Sequence, residues 1–292
     1  MNQQIKLRTL SLGGGVQSST IVEMMVDGAL PMADLIIFAD TGDEPEHVYK
    51  QIWYLATRLG SVNMPLIVVN NGDMVKDIYS NGRFAAMPLW TVNRRPVSAF
   101  GKTADILKVG RLKRQCTHEY KIVPIERFIR SQLLARGLAK KDKLGRTKIT
   151  KGVMVEVLLG ISLDEAERMK PSRIKWMVNK WPLIDKRMSR FDCINWLKAN
   201  GHPVPQKSSC KRCPYHDNAH FLEMKTERPK DWAEVTRFDD NLRDGTLRLA
   251  VTAKGDVFLH ETCIPLSEVN LSEGPTTKPL EICDEGFCGV WL

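Results

Sequence analysis

The chain has 292 residues and carries 43 Lys and Arg against 34 Asp and Glu, a formal charge of +9. That length can bury a full core. No apolar run is long enough to span a bilayer, and Gln3, Gln4, Lys6 and Arg8 leave no signal-peptide core at the N-terminus, so the expectation is a soluble cytoplasmic protein with no membrane partner. Seven cysteines, an odd number in such a chain, argue against a disulfide scaffold and raise metal binding or thiol chemistry instead.

Ile5 to Leu12 reads as a strand and Ser18 to Asp27 as a helix stopped by Gly28 and Pro31. Between them Ser11-Leu12-Gly13-Gly14-Gly15-Val16-Gln17-Ser18-Ser19-Thr20 turns the chain. Three glycines let the backbone approach a ligand closely, and the helix that follows directs N–H groups and its positive dipole end at an anion. The plainer reading is a Gly-rich turn with a Ser N-cap. Asp34 to Ala39 is a short apolar run typical of a strand buried on both faces, which completes a βαβ unit and implies a parallel sheet. Ligands of such sheets bind beyond the carboxyl ends of the strands, where the glycine loop and the turn Asp40-Thr41-Gly42-Asp43-Glu44 both fall.

Pro45 to Leu59 is a second helix and Pro65 to Val69 a third strand. Asn81 to Gln115 is basic with little periodicity, the pattern of a binding loop or lid. Helical spacing returns over Lys121 to Leu138, an exposed Lys-rich excursion covers Gly137 to Gly152, and Val153 to Leu159 is another buried strand ending at Gly160-Ile161-Ser162. Ser189 to Asn200 forms an amphipathic helix, with Cys193 on its core side. A Cys-rich knot at Ser208 to His216, a helix pair to Leu242, a hairpin over Leu247 to His260 and an irregular tail complete the chain. Trp176, Trp181 and Trp196 are expected in the core. Charge is uneven: residues 81–151 hold 18 Lys and Arg against 4 Asp and Glu. Such a block is either a solvated face or a surface for a polyanion.

Several segments, taken in order, resemble the phosphoadenosine phosphosulfate reductase family of the PP-loop adenine-nucleotide hydrolase-like superfamily. They are Gly15-Val16-Gln17-Ser18-Ser19, Ala39-Asp40-Thr41-Gly42 with Glu46 and Tyr49, Cys116 with Lys121, Pro124 and Arg127, Gly160-Ile161-Ser162 with Glu165 and Arg168, and Pro182 to Asp185 leading to Trp196 and Asn200 to Pro203. The chain departs from the family at Gly14 and Ser162. The resemblance implies an α/β, Rossmann-like PP-loop fold with a mostly parallel sheet and helices on both faces. It implies a nucleotide-binding domain over residues 1–205 and a Cys-rich extension over 206–292. It also implies an adenine nucleotide, of the ATP or adenosine phosphosulfate type, bound by Ser11, Gly13, Gly14, Gly15, Gln17, Ser18, Ser19, Asp40, Thr41, Gly42, Lys121, Gly160 and Arg168.

Cys210-Lys211-Arg212-Cys213 is the most specific local signal after the glycine loop. Two thiolates two residues apart can hold one metal or cluster, and the flanking cations favour their ionised form. By resemblance, Cys116, Cys210 and Cys213 would hold a 4Fe-4S cluster with one iron open, or closed by Cys263 or His216; the alternative is a structural zinc site of Cys210, Cys213, Cys263 and either His216 or His220. By resemblance, the tail around Cys288 keeps the Cys-Gly of the reductases' nucleophile, which makes Cys288 the candidate catalytic thiol; from the residues alone Cys283 and Cys288 are a redox pair, extra ligands or an inert tail. Three functions follow. One is sulfonucleotide reduction with a thioredoxin-like reductant. The second is ATP-dependent sulfur transfer to a nucleic acid held by the basic 81–151 segment. The third is a non-enzymatic nucleotide-binding module with structural zinc.

Overall fold

A computed structural model describes residues 4–80, 87–99, 102–244 and 255–272. In chain order the elements are β1 (Gln4–Leu12), α1 (Val16–Val26), β2 (Leu35–Asp40), α2 (Glu46–Gly60), β3 (Leu66–Asn70), α3 (Met74–Tyr79), β4 (Trp90–Ala99) and β5 (Lys102–Arg111). A π-helical segment, Thr117–Ile122, leads into α4 (Val123–Ala135), followed by β6 (Ala139–Lys141), β7 (Thr147–Ile149), β8 (Val153–Leu159) and β9 (Met177–Lys180). Helices α5 (Pro182–Asp185), α6 (Arg190–Ala199), α7 (Asn218–Glu227) and α8 (Pro229–Asn241) precede β10 (Asp256–Phe258). Among the described residues no helix is long and apolar enough to cross a membrane.

Contacts divide the described residues into two units: those within 4–71 and 117–208 form the first, and those within 72–116 and 209–272 the second. The sequence led us to expect a break near residue 205. The second unit differs from that expectation because it also takes in residues 72–116.

The first unit is an α/β, Rossmann-like domain built on a five-stranded parallel sheet in the order β3-β2-β1-β8-β9. Its strands read as continuous apolar runs because both faces are covered. Leu7, Leu35, Ile37, Val155 and Val157 face Ile125, Ile129 and Leu133 of α4. The alternate residues Leu10, Leu12, Ile36, Phe38 and Leu158 face α1, α2 and α6 through Ile21, Val22, Leu55, Cys193 and Leu197. Trp176, Trp181 and Trp196 pack against these cores while only partly buried. Helix α6 starts at a capping box: Ser189 accepts from the Asp192 backbone, and the Asp192 carboxylate accepts from that of Ser189. The Lys-rich excursion is the β6–β7 hairpin.

The second unit holds a three-stranded sheet in the order β10-β4-β5 beside α7 and α8. Residues 81–115, expected to be an irregular loop or lid, instead contain an antiparallel pair running from Trp90↔Arg111 to Ala99↔Lys102. Pro96 and the scattered basic residues hide the strand pattern. Residues 245–254 of the expected Leu247–His260 hairpin lie outside the described residues, and Asp256–Phe258 pairs antiparallel with β4. Buried Asp239 ties this unit together. Its carboxylate accepts from Leu259 N at 2.7 Å, Leu266 N at 2.9 Å and Arg243 at 2.9 Å.

Candidate functional site

The chain runs from β1 to β2 and β3 on one side and returns as β8 on the other, so strand order reverses between β1 and β8. The crevice beyond their carboxyl ends is where sheets of this type bind ligands. The glycine loop leaves β1 there, and Gly160-Ile161-Ser162 leaves β8 there.

The local geometry explains the glycines. Gly14 has φ +74°, and a Cβ on it would lie 3.2 Å from Val48 Cγ1 on α2. A Cβ on Gly160 would lie 2.9 Å from Ser18 N and 3.0 Å from Ser18 Cα, so this glycine is what lets the β8 loop rest on the first turn of α1. Ser18 closes the loop from within: its Oγ accepts from Gly13 N–H at 3.2 Å and donates to the Gly15 carbonyl at 3.4 Å. Gly15 is the N-cap of α1 and brings no side chain to that end, and the first turn contains no acidic residue. The first intrahelical bond is Ser19 N–H to Gly15 C=O, which leaves the preceding N–H groups directed out of the helix end. Gln17 Nε2 donates to Ser162 Oγ at 3.4 Å, bridging the loops after β1 and β8. Ser19 is turned away from the loop, fully buried and hydrogen-bonded by Gln51 Nε2 at 3.3 Å. Ser11, next to the last residue of β1, has a buried hydroxyl with no hydrogen-bond partner among the described residues.

The second turn is self-contained. Asp40 Oδ1 accepts from Gly42 N–H and from the Tyr49 hydroxyl, each at 2.9 Å. Burial, with Asp40 alongside, pushes the Tyr49 phenol well above its ordinary range. Thr41 Oγ1 donates to Glu44 Oε1 at 3.1 Å, and Lys121 Nζ reaches the same oxygen at 3.1 Å. Lys121 sits on the π-helical segment, a departure from regular helix that is common at functional positions. Behind it, Arg127 holds Asn71 Oδ1 at 2.7 Å while Asn71 Nδ2 donates to the Glu119 carbonyl at 2.7 Å. Arg168 is buried in an ion pair with Glu165.

The first unit therefore brings together most of the residues expected to bind nucleotide, all at one sheet edge. Sequence reasoning missed the ion pair of Lys121 with Glu44, and it named Glu165 beside Arg168 without pairing them. It also missed the segment after α6, where Lys207 C=O accepts from His47 Nε2 at 3.0 Å.

Cys116, Cys210, Cys213 and Cys263 are half-buried, form no disulfide with one another and all belong to the second unit. Cys213 N–H donates to the Cys210 carbonyl at 3.2 Å, closing the two-residue turn, and His216 Nε2 donates to the same carbonyl at 2.9 Å. The His216 and His220 rings stack with centroids 3.7 Å apart. Lys211 and Arg212, expected to favour thiolates, are paired with Glu234 at 2.7 Å and 3.4 Å, which offsets their charge. In residue type this set fits a thiophilic metal or cluster. Cys263 fits least well: burial pushes its thiol up to about 11, so a bound metal would have to displace its proton. Three oxygen and nitrogen ligand atoms do converge at Glu23, Asp27 and His202, but Arg58 already bridges the two carboxylates at 2.9 Å and 2.7 Å. Cys283 and Cys288 lie outside the described residues.

No family model matches the chain, and neither does any curated protein. Among solved structures it is similar to the crystal structure of phosphoadenylyl-sulfate (PAPS) reductase from Candida auris in a phosphate complex. The TM-score is 0.41 at 11% identity, over 68% of this chain and 75% of that one.

Proposed function

We propose that the first unit binds an adenine nucleotide, of the ATP or adenosine phosphosulfate type, and that the chain is a phosphoadenosine phosphosulfate reductase-like enzyme of sulfur chemistry. The observation that carries the reading is the glycine loop at the β1–β8 crevice, where the side-chain-free N-terminus of α1 lies under Gly160. Phosphate or sulfate there meets N–H donors, the helix dipole and no acidic first-turn residue. Gln17, held by Ser162, stands beside the bound anion as a neutral donor.

In the reductase reaction the Cys288 thiolate attacks the sulfur of the sulfonucleotide. The S–O bond to phosphate breaks, the nucleotide phosphate leaves with the electron pair, and the sulfonate stays on the thiol. A thioredoxin-like dithiol then releases sulfite and is itself oxidised to a disulfide. Cys116, Cys210, Cys213 and Cys263 would hold the iron–sulfur cluster or zinc; a cluster supplies Lewis-acid and sulfur-carrying chemistry, and zinc a structural tie.

The test is anaerobic purification with metal and acid-labile sulfide analysis, followed by calorimetry with ATP, AMP and both sulfonucleotides and an assay of sulfite release. Micromolar binding of a sulfonucleotide, with turnover that Cys288→Ser abolishes, is the expected result. Full sulfite release by Cys288→Ser removes the thiol assignment. Nucleotide binding without turnover, with zinc and no iron, favours the non-enzymatic module.

One observation favours a second reading, sulfur transfer to nucleic acid. In the second unit the exposed Arg111 guanidinium lies 5.5 Å from the Trp90 ring centroid and 4.8 Å from that of Tyr215, with Arg114 5.8 Å from Tyr215. Trp90 Nε1 donates to the Pro214 carbonyl at 3.1 Å, next to Cys213. Arginines interleaved with aromatic rings suit stacked bases and their phosphates. RNA and DNA binding that weakens steeply with salt and with Arg111→Ala supports this reading, and its absence at low salt removes it.

A further inference from the structure

On the sheet face that α1 and α6 cover, the apolar pattern stops partway along the strands. Leu10 of β1 and Leu158 of β8 face those helices, but two residues earlier on each strand the same face carries Arg8 and Glu156, which are partners across the β1–β8 ladder. Arg8 Nε donates to Glu156 Oε2 at 2.7 Å. Leu158 pairs in turn with Lys180 of β9. Over these three strands, between the end of α1 and the start of α5, lies a cavity of about 300 Å³. Met25, Leu30, Leu158 and Pro182 give it an apolar side. Arg8, Glu156, Lys180, Asp185 and Lys186 give it a charged one. Met25 is next to last in α1, so the cavity sits at the opposite end of that helix from the glycine loop.

The charges that line this cavity do not balance. There are three cations and two carboxylates, and Glu156 is taken up by Arg8. Lys180 and Lys186 are left against Asp185, an excess of one positive charge beside apolar surface. Small-molecule sites combine apolar walls with a few polar groups that fix orientation, and this volume is at the lower end of their range. We infer that the cavity binds a small monoanion with a short apolar body, an ionised carboxylic acid. Its chain lies against Met25, Leu30 and Leu158, and its carboxylate is met by Lys180 and Lys186. Burial of the chain supplies the affinity, while the two ammonium groups select the sign of the charge. A nucleotide brings more negative charge than one excess cation matches, so this ligand differs from that of the glycine loop, and the inference stands independently of the nucleotide reading.

Amide NMR of the isotope-labelled full-length chain, titrated with hexanoate, acetate and hexylammonium, tests it. Hexanoate should bind with a Kd of about 1 mM, the scale open to a ligand of its size. It should shift the amides of Met25, Leu30, Leu158, Lys180 and Lys186 and leave those of the glycine loop in place. Acetate lacks the apolar body and hexylammonium has the wrong charge, so each should bind at least about 10-fold more weakly. Lys180→Gln with Lys186→Gln should raise the hexanoate Kd about 5-fold, whereas Lys180→Arg with Lys186→Arg should keep it near the wild-type value. Both lysines are exposed, so neither double variant should move the melting temperature. Hexanoate shifts confined to the glycine loop, or no shift at the five named amides, would overturn the inference. So would hexylammonium binding as tightly as hexanoate, or a glutamine variant that binds hexanoate as the wild type does.

Discussion

Lys121 Nζ lies 3.1 Å from Glu44 Oε1, with the two side chains 8% and 2% exposed. The pair links the π-helical segment to the turn after β2, and Thr41 donates to the same carboxylate oxygen. Two charges removed from water hold each other in place, and truncating either one takes a buried ion-pair partner from the other. Lys121→Ala and Glu44→Ala should each cost about 3–5 kcal/mol in urea denaturation, whereas the double replacement Lys121→Met with Glu44→Leu should cost much less than their sum. Additive losses would show that the two residues act independently.

Gly160 and Gly60 make a contrasting pair. Alanine at 160 drives a Cβ into the backbone of Ser18, which α1 cannot yield cheaply. A loss of about 1–3 kcal/mol is expected, together with weakened nucleotide binding. Alanine at Gly60, the last residue of α2, meets nothing within 4 Å and should stabilise by about 0.5–1 kcal/mol through helix propensity. Thermal melts of the two variants should therefore move in opposite directions.

Cys193 is fully buried on α6, and burial pushes its thiol up to about 12 from an ordinary value of 9. Because the folded value is the raised one, its contribution is complete below pH 9 and is lost as pH rises from 9 toward 12, where only the unfolded chain has released the proton. Wild-type melting temperature should fall more steeply over that window than that of Cys193→Ala. In metal-free protein the native thiol should also resist alkylation at pH 8 while the half-buried Cys116, Cys210 and Cys213 react.

Ser189 caps α6 through a reciprocal box with Asp192. Removing the hydroxyl in Ser189→Ala strips one end of that box and should cost about 1 kcal/mol. Chemical denaturation reads the loss directly. A variant as stable as the wild type would mean that packing of Cys193 and Leu197 alone fixes the helix start.

How much was legible in the sequence depended on how local each signal is. The apolar run Val153 to Leu159 coincides with β8 at both ends, and β1, β2 and β3 agree to within a residue, because strands covered on both faces show themselves in composition alone. The β4–β5 pair did not show itself. Pro96 lies inside β4, and the other partner of β4 is a three-residue strand far along the chain. The glycine loop was legible because two of its glycines are needed where they stand: Gly14 takes φ +74°, and a Cβ on Gly15 would come 2.7 Å from Ser208 Oγ. The partner of Lys121 was not, since 77 residues separate it from Glu44 and nothing in either neighbourhood names the other. The segment after α6 that carries Lys207 lacks any periodicity, and only Pro203 and Pro205 mark it in the sequence.

The sheet order β10-β4-β5 has a consequence for biosynthesis. Trp90 pairs with Phe258, about 170 residues later, so on a ribosome adding roughly 5–20 residues each second the outer edge of β4 waits on the order of ten to thirty seconds for its neighbour. During that interval the nascent chain presents an open hydrogen-bonding rim. Its dense positive charge, the same block that stands out in the sequence, is then a safeguard against strand-to-strand aggregation before the last strand arrives.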